Sequence, residues 1–244
     1  MQRFFADILG TPNEIILCGE NAHHMEHVLR LRAGESFVVC DGRGTDYVCR
    51  LTRYASKQAY AEVAEVMPNT AEPLFPVVLF QGIPKADKME MIIQKAVELG
   101  VTKIVPVSME RCVVKLGGKE AAKVERWQKI AESAAKQSHR GCVPVVEMPV
   151  TLAQGIAETQ MLSCRAVAYE NEKTHGLREY LSARAKTECT GFGIFIGPEG
   201  GLAPEEIARL ESAGIAPVSL GRRILRTETA GLYALAAVGF AWDV

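Results

Sequence analysis

Hydrophobic and polar positions divide the 244-residue chain into two textures. Over the first 67 residues the dominant period is two. Residues 37–40 form an apolar run, and Asp41-Gly42-Arg43-Gly44 carries the Asp-Gly signature of a tight turn. Tyr47, Cys49 and Leu51 then alternate with Val48, Arg50 and Thr52, the pattern of a half-buried strand. Residues 60–67 continue the series with Ala61, Val63 and Val66, which predicts an antiparallel meander closing into a small barrel. One helix interrupts it: Met25, Val28 and Leu29, at i, i+3 and i+4, predict a short helix over residues 21–31.

Residues 68–76 contain three prolines. Proline lacks the amide that a helix interior or central strand needs, so this stretch predicts a linker between a domain at 1–70 and a second at 71–244. From Val77 onward strands and helices alternate. Strands are predicted at 77–82, 103–107, 143–148, 166–169, 193–196 and 216–220. Helices are predicted at 84–100, with Met89, Ile92, Ile93, Ala96 and Val97 on one face, and at 119–139, with Trp127, Ile130, Ala131 and Ala134 inward. A third, at 204–213, opens on Pro204 and two acids, as the helix dipole favours. This alternation predicts an α/β fold with an open parallel sheet. The last helix, 230–242, has no charge inside it. A helix apolar on all sides must be covered on all sides, by a core or by a second subunit.

Composition adds boundaries. Lys plus Arg total 28 against 29 Asp plus Glu, for a net charge of -1. The balance is uneven: -3 over residues 1–72 (7 basic, 10 acidic), +5 over 73–145 (12 and 7) and -3 over 146–244 (9 and 12). A nucleic-acid partner is therefore not announced by bulk charge and needs local patches, with the middle segment the natural place to seek one. No apolar run approaches the ~20 residues of a membrane span, and residues 1–10 lack the pattern of a signal peptide. The seven cysteines are scattered with no CxxC pair, which argues against a disulfide scaffold or zinc ribbon and for buried thiols in a reducing cytoplasm.

The glycines carry the first chemical signal. A P-loop and an early GxGxxG are both lacking. A Gly-rich turn does occur late, Gly197-Pro198-Glu199-Gly200-Gly201, directly after a predicted strand. Glycines there permit positive φ and close approach of backbone to a ligand, and ligands of open α/β sheets sit at strand carboxyl ends. The turn is either a pocket floor or an ordinary turn into a helix. A second segment, residues 219–226, leaves a strand with Arg222, Arg223 and Arg226, and Thr227-Glu228 then suits a helix cap and first turn. Three arginines beside a helix N-terminus make an anion-attracting corner, unless they are simply solvated.

Those two segments, Ile196-Gly197-Pro198-Glu199-Gly200-Gly201 and Leu220-Gly221-Arg222-Arg223-Ile224-Leu225-Arg226-Thr227-Glu228-Thr229-Ala230, resemble the knotted SPOUT methyltransferases. Within them the chain is similar to the RsmE family, which methylates N3 of a uracil in 16S ribosomal RNA. Three further matches support the narrower likeness: residues 23–30, residues 85–90 with 95–100, and Gln137-Ser138-His139-Arg140 with Pro144. The likeness runs in order from about residue 3 to 240. One departure is Cys112, where the family more often carries a hydroxyl.

The resemblance implies a PUA-like RNA-binding β-barrel followed by an α/β domain whose C-terminal segment forms a trefoil knot. It also implies a homodimer in which each active site is completed by the partner. The implied cofactor is S-adenosylmethionine, leaving as S-adenosylhomocysteine, with no metal. Its cradle would be Gly197, Pro198, Glu199, Gly200, Gly201, Leu220, Gly221, Ile224 and Leu225, with Thr229 and Ala230 completing the pocket. The target would be the uridine that the family numbers 1498, in the 30S subunit. Its N3 carries a proton, so Arg226 is expected to stabilise developing charge and Glu228 to act as base, to orient Arg226 or only to cap the helix. His24, His27, Arg30 and Arg32 are expected to contact RNA, with Lys85, Lys88, Lys136 and Arg140 extending a phosphate strip. The alternatives are a SPOUT enzyme acting on another RNA or on a ribose 2′-OH, and a non-catalytic RNA-binding or ribosome-assembly factor.

Overall fold

A computed structural model of the chain describes residues 1–8, 13–113, 118, 120–184 and 188–242. It resolves into two compact units, Met1–Glu72 with Ala135–Val143, and Pro73–Ala134 with Pro144–Val244. The first unit thus takes in a segment that a division at residue 70 assigns to the second.

The first unit is built on a five-stranded sheet. Its strands are β1 (Arg3–Phe5), β2 (Glu14–Leu17), β3 (Ser36–Cys40), β4 (Thr45–Ala55) and β5 (Gln58–Pro68), ordered β1-β3-β4-β5-β2. Only the β1–β3 pair is parallel. The period-two reading of β4 holds: Tyr47, Cys49 and Leu51 are buried and pack with Phe4, Leu17, Met25 and Phe37. The Asp41 carboxylate closes the β3–β4 turn by accepting from the Arg43 and Thr45 amides. The expected helix differs in kind. Residues Gly19–His23 are α1, but His24–Val28 is a π-helical turn, with the Leu29 amide bonded to the His24 carbonyl. The wider turn rotates Val28 off the Met25 face, so Met25 is fully buried and Val28 is 62% exposed.

In the same unit the Glu72 carboxylate accepts from Arg140 Nε (2.8 Å), Arg140 Nη2 (2.7 Å) and the amides of Gly141 and Cys142. Burial alone would raise the Glu72 pKa, but the Arg140 guanidinium outweighs it and holds the carboxyl below its ordinary value. Arg3 pairs with Asp46 at 2.6 Å, and Asn69 donates to that same carboxylate.

The second unit is a parallel sheet flanked by helices. Its strands are β6 (Val77–Gly82), β7 (Lys103–Ser108), β8 (Val145–Val146), β9 (Val150–Thr151), β10 (Cys164–Ala168), β11 (Phe192–Ile196) and β12 (Ala216–Val218). The order is β12-β10-β11-β6-β7-β8, with β9 also on β7. Its helices are α2 (Lys88–Glu98), α3 (Glu120–Gln137, in this unit as far as Ala134), α4 (Leu152–Glu158), α5 (Leu177–Ser182), α6 (Pro204–Ser212) and α7 (Thr227–Trp242). The expected start of α3 at Lys119 lies outside the described residues. Every residue of β6 and β11 is buried, as strands covered on both faces must be. Phe80 and Phe195 stack across them at 4.4 Å. The five apolar residues assigned to one face of α2 are all buried. Cys112, the departure noted above, sits in the core with Phe80, Val107 and Phe195.

Candidate functional site

Strands β12, β10 and β11 are neighbours and parallel, so their carboxyl ends fall side by side. Three loops leave those ends: 219–226 after β12, Tyr169-Glu170 after β10, and 197–203 after β11. With the start of α7 and Lys88 of α2 they enclose a cavity of about 540 Å³. That volume is within the ~300–1,000 Å³ usual for small-molecule sites.

Glycine is required here for identifiable reasons. Gly201 has φ +69, and a Cβ on it would lie 2.7 Å from Glu170 Oε1. Gly221 has φ +112 with open space around it, so conformation alone selects it. The Gly201 amide bonds to the Pro198 carbonyl, which tightens the turn. Behind the turn Glu206, only 5% exposed, accepts from the amides of Ala203 and Glu110 and fixes the entry to α6.

The start of α7 is locked to the end of β11. Thr227 is 6% exposed, and its hydroxyl donates to the Gly197 carbonyl at 2.6 Å. The same hydroxyl accepts from Gln81 Nε2 at 2.9 Å. Thr227 is therefore a tether rather than the cap its sequence position suggests. The Arg226 carbonyl receives the amides of Thr229 and Ala230 instead.

Charge in the cavity is mixed. Arg222, Arg223 and Arg226 line it and are exposed, and Glu170 and Glu199 line it too. Lys88 Nζ lies 2.9 Å from Glu199 and 3.3 Å from Glu228. The hydrogen bond to Glu199 raises the Lys88 pKa against the cost of desolvation, and the Glu228 carboxylate adds to the rise. Burial alone would raise Glu199, but Lys88 and the Lys85 amide hold it below its ordinary value.

Most of the expected cradle converges. Gly197, Pro198, Glu199, Gly200, Gly201, Leu220, Gly221, Ile224, Leu225 and Ala230 line one cavity, with Arg226 beside them. Thr229 does not line it. It is two residues past Thr227, about 200° round the helix, and faces solvent. Glu228 lies just outside the lining, tied to Lys88. Lys88 is thus committed to two carboxylates, not held out for a phosphate. Lys85 is exposed and gives Glu199 its amide.

Of the other expected RNA residues, His24, His27, Arg30 and Arg32 are exposed on the first unit, where Arg30 has φ +54. The His27 ring lies 4.7 Å from that of His23, tilted by 54°. Lys136 is half-buried in that unit. Arg140 is 3% exposed and spent on Glu72, so it does not belong to a phosphate strip.

Sequence reasoning missed Ala168, Tyr169, Glu170, Ile196, Leu202, Ser219 and Thr227 as lining residues. The signal available for Thr227 was Gln81, a polar residue in the otherwise apolar run Val77–Gly82, which demands a buried partner. Among the described residues there is no group of three His, Cys, Asp or Glu placed to hold a metal.

Comparison with known proteins gives the lineage. Residues 70–239 match the family described as RNA methyltransferase domain, and residues 17–64 match the RNA methyltransferase PUA domain. Ribosomal RNA small subunit methyltransferase E of Bacillus subtilis is 37% identical, covering 100% of this chain and 98% of its own. That of Mycobacterium tuberculosis is 32% identical, covering 98% and 93%. A crystal structure of the Neisseria gonorrhoeae protein, bound to S-adenosyl methionine, superposes with a TM-score of 0.87 at 33% identity, covering 99% of this chain and 98% of that one. Matched along its whole length in sequence and fold, with its late glycine loops gathered round one cavity, the chain belongs to the ribosomal RNA small subunit methyltransferase E family of RNA methyltransferases.

Proposed function

We propose that this protein transfers a methyl group from S-adenosylmethionine to N3 of one uridine, the family's 1498, in the 16S RNA of the small ribosomal subunit. The observation that carries the reading is the convergence of three loops from adjacent strand carboxyl ends, with the start of α7, on one cavity. The cavity fits the donor. Glycine at 201 and 221 lets the two loops take the positive φ that folds them round the cavity, and the mixed lining offers both signs of charge to a ligand that carries both. When bound, the donor supplies a methyl already activated by its sulfonium.

The remaining work falls to the chain. Arg226, exposed at the cavity edge, presents a cationic fork to a uracil carbonyl and stabilises the charge left when N3 loses its proton. Glu228, oriented by Lys88, is the nearest carboxylate to Arg226 along the chain and either takes that proton or holds Arg226 in place. Because N3 takes part in base pairing, the uridine must be unpaired or flipped out.

Residues 1–70 serve as the PUA-like RNA-binding domain and 71–244 as the methyltransferase domain, with the C-terminal segment threaded as a knot. His24, His27, Arg30, Arg32, Lys85 and Lys136 contact RNA. The protein works as a homodimer in the cytoplasm. The outer face of α7 supports the dimer: Phe240 is 94% exposed and Tyr233 47% on a helix with no charge after Glu228.

The test is nucleoside analysis. Unmodified 30S subunits are incubated with the protein and methyl-labelled S-adenosylmethionine, and the digested RNA is resolved by mass spectrometry. Label in 3-methyluridine is expected. Label in a 2′-O-methyl nucleoside, or in none, contradicts the proposal.

A further inference from the structure

Gln81, the last residue but one of the central strand β6, is wholly buried, yet it does not line the cavity. Its Nε2 donates to the Gly82 carbonyl at 3.0 Å and to the Thr227 hydroxyl at 2.9 Å. Thr227 in turn donates to the Gly197 carbonyl at 2.6 Å. The proton inventory makes this chain directional. A threonine hydroxyl has one proton, spent on Gly197, so toward Gln81 it can only accept. A glutamine amide has two, and both are used. The reverse amide orientation would set Oε1 against the Gly82 carbonyl oxygen, which has no proton to give. Gln81 Oε1, with no partner among the described residues, is left facing Gly231, where a Cβ would stand 3.4 Å away.

The neighbouring residue braces the same peptide. A Cβ on Gly82 would lie 2.6 Å from Pro198 N and 3.0 Å from Gly197 C. The end of β6 therefore supports the Gly197-Pro198 peptide twice, by contact at Gly82 and by hydrogen bonds through Gln81 and Thr227.

We propose that Gln81 and Thr227 form a one-way hydrogen-bond relay that sets the Gly197 carbonyl, and with it the 197–201 loop, for the methyl donor. Gln81 is a positioning residue, acting through Thr227. The inference rests on the cofactor reading above and deepens it. It accounts for a glutamine in a strand otherwise built of Val, Leu, Phe and Gly.

The experiment compares Thr227→Val, Thr227→Ser and Gln81→Met with wild type by calorimetric titration of S-adenosylhomocysteine, by thermal melting and by steady-state kinetics. Thr227→Val and Gln81→Met should weaken cofactor affinity about tenfold or more, since each strands a buried partner. KM for the donor should rise in step, with KM for RNA and kcat near wild type. Thr227→Ser, which keeps the hydroxyl, should recover most of the affinity. A merely structural role would lower the melting temperature and leave the cofactor KM unmoved. Folded Thr227→Val and Gln81→Met proteins with wild-type affinity overturn the relay. One measurement needs no variant: in labelled wild-type protein the Gln81 side-chain amide protons should exchange slowly and shift when S-adenosylhomocysteine binds. Unshifted resonances overturn the relay even if every variant unfolds. Wild-type protein that binds no S-adenosylhomocysteine overturns the cofactor reading itself, and this inference with it.

Discussion

Gly82→Ala adds one methyl group where the structure leaves no room. The new Cβ would stand 2.6 Å from Pro198 N, 2.7 Å from Pro198 Cδ and 3.0 Å from Gly197 C. Ordinary contact begins at 3.4 Å, so backbone and ring must part by about 0.8 Å (3.4 less 2.6). Strand β6 is buried at every position and paired on both edges, to β11 and β7, so it cannot yield. The displacement falls on the 197–201 loop. Overpacking of this kind costs about 1–3 kcal/mol. For a chain of this size that lowers Tm by roughly 2–4 °C per kcal/mol, so by about 2–12 °C in all. If the strain is relieved by moving the loop, cofactor affinity falls by about 5- to 150-fold. Differential scanning calorimetry and titration with S-adenosylhomocysteine measure both. Gly34→Ala is the control: φ is +91 and nothing lies within 4 Å, so it carries only the left-handed backbone cost and leaves the cofactor site untouched. A Gly82→Ala protein with wild-type Tm and wild-type affinity would refute the reasoning that β6 braces the cofactor loop.

Arg226→Ala should lower kcat by about 10²- to 10³-fold while changing cofactor affinity little, because its charge matters only as N3 loses its proton; equal losses in single-turnover rate and calorimetric affinity would make Arg226 a binding residue. Glu72→Ala removes the carboxylate that pairs with the buried Arg140 guanidinium and should cost about 3–5 kcal/mol in urea unfolding. Because the folded pKa of Glu72 is depressed, its contribution is present above its ordinary value of 4.5 and is lost as pH falls through the folded value, so melting curves from pH 6 to 3 should show an acid-side loss that Glu72→Gln lacks. Phe240→Glu places a charge on the exposed face of α7 and should convert the proposed dimer to monomer in sedimentation velocity; an unchanged dimer would put the interface elsewhere.

What the sequence made legible follows from the range of the interactions involved. The 197–201 turn could be read because its glycines are local and their chemistry is dictated by the backbone they sit in. The faces of α2 and β4 could be read because helix and strand periods act over a few residues. Tyr169 and Glu170 could not, because they reach the cavity only through the strand order β12-β10-β11, in which β10 comes to lie between two strands that follow it in sequence. Arg140 looked like a phosphate contact since its partner Glu72 is 68 residues away and nothing near it in the sequence offers a carboxylate. Thr229 was placed in the pocket and Thr227 at the cap, and the helix phase, fixed by the tether to Gly197, puts Thr227 on the cavity instead. Val28 was misplaced because a π-turn adds a residue where a 3.6-residue period was assumed.

The central claim is that the loops after β10, β11 and β12 and the first turn of α7 hold the methyl donor. A crystal structure of the protein with S-adenosylhomocysteine tests it most directly. The account predicts ligand density bounded by Gly197–Gly201, Ser219–Arg226 and Tyr169-Glu170, with the Thr227 hydroxyl still on the Gly197 carbonyl. Density at another place on the chain, with this cavity closed by its own side chains, would contradict it.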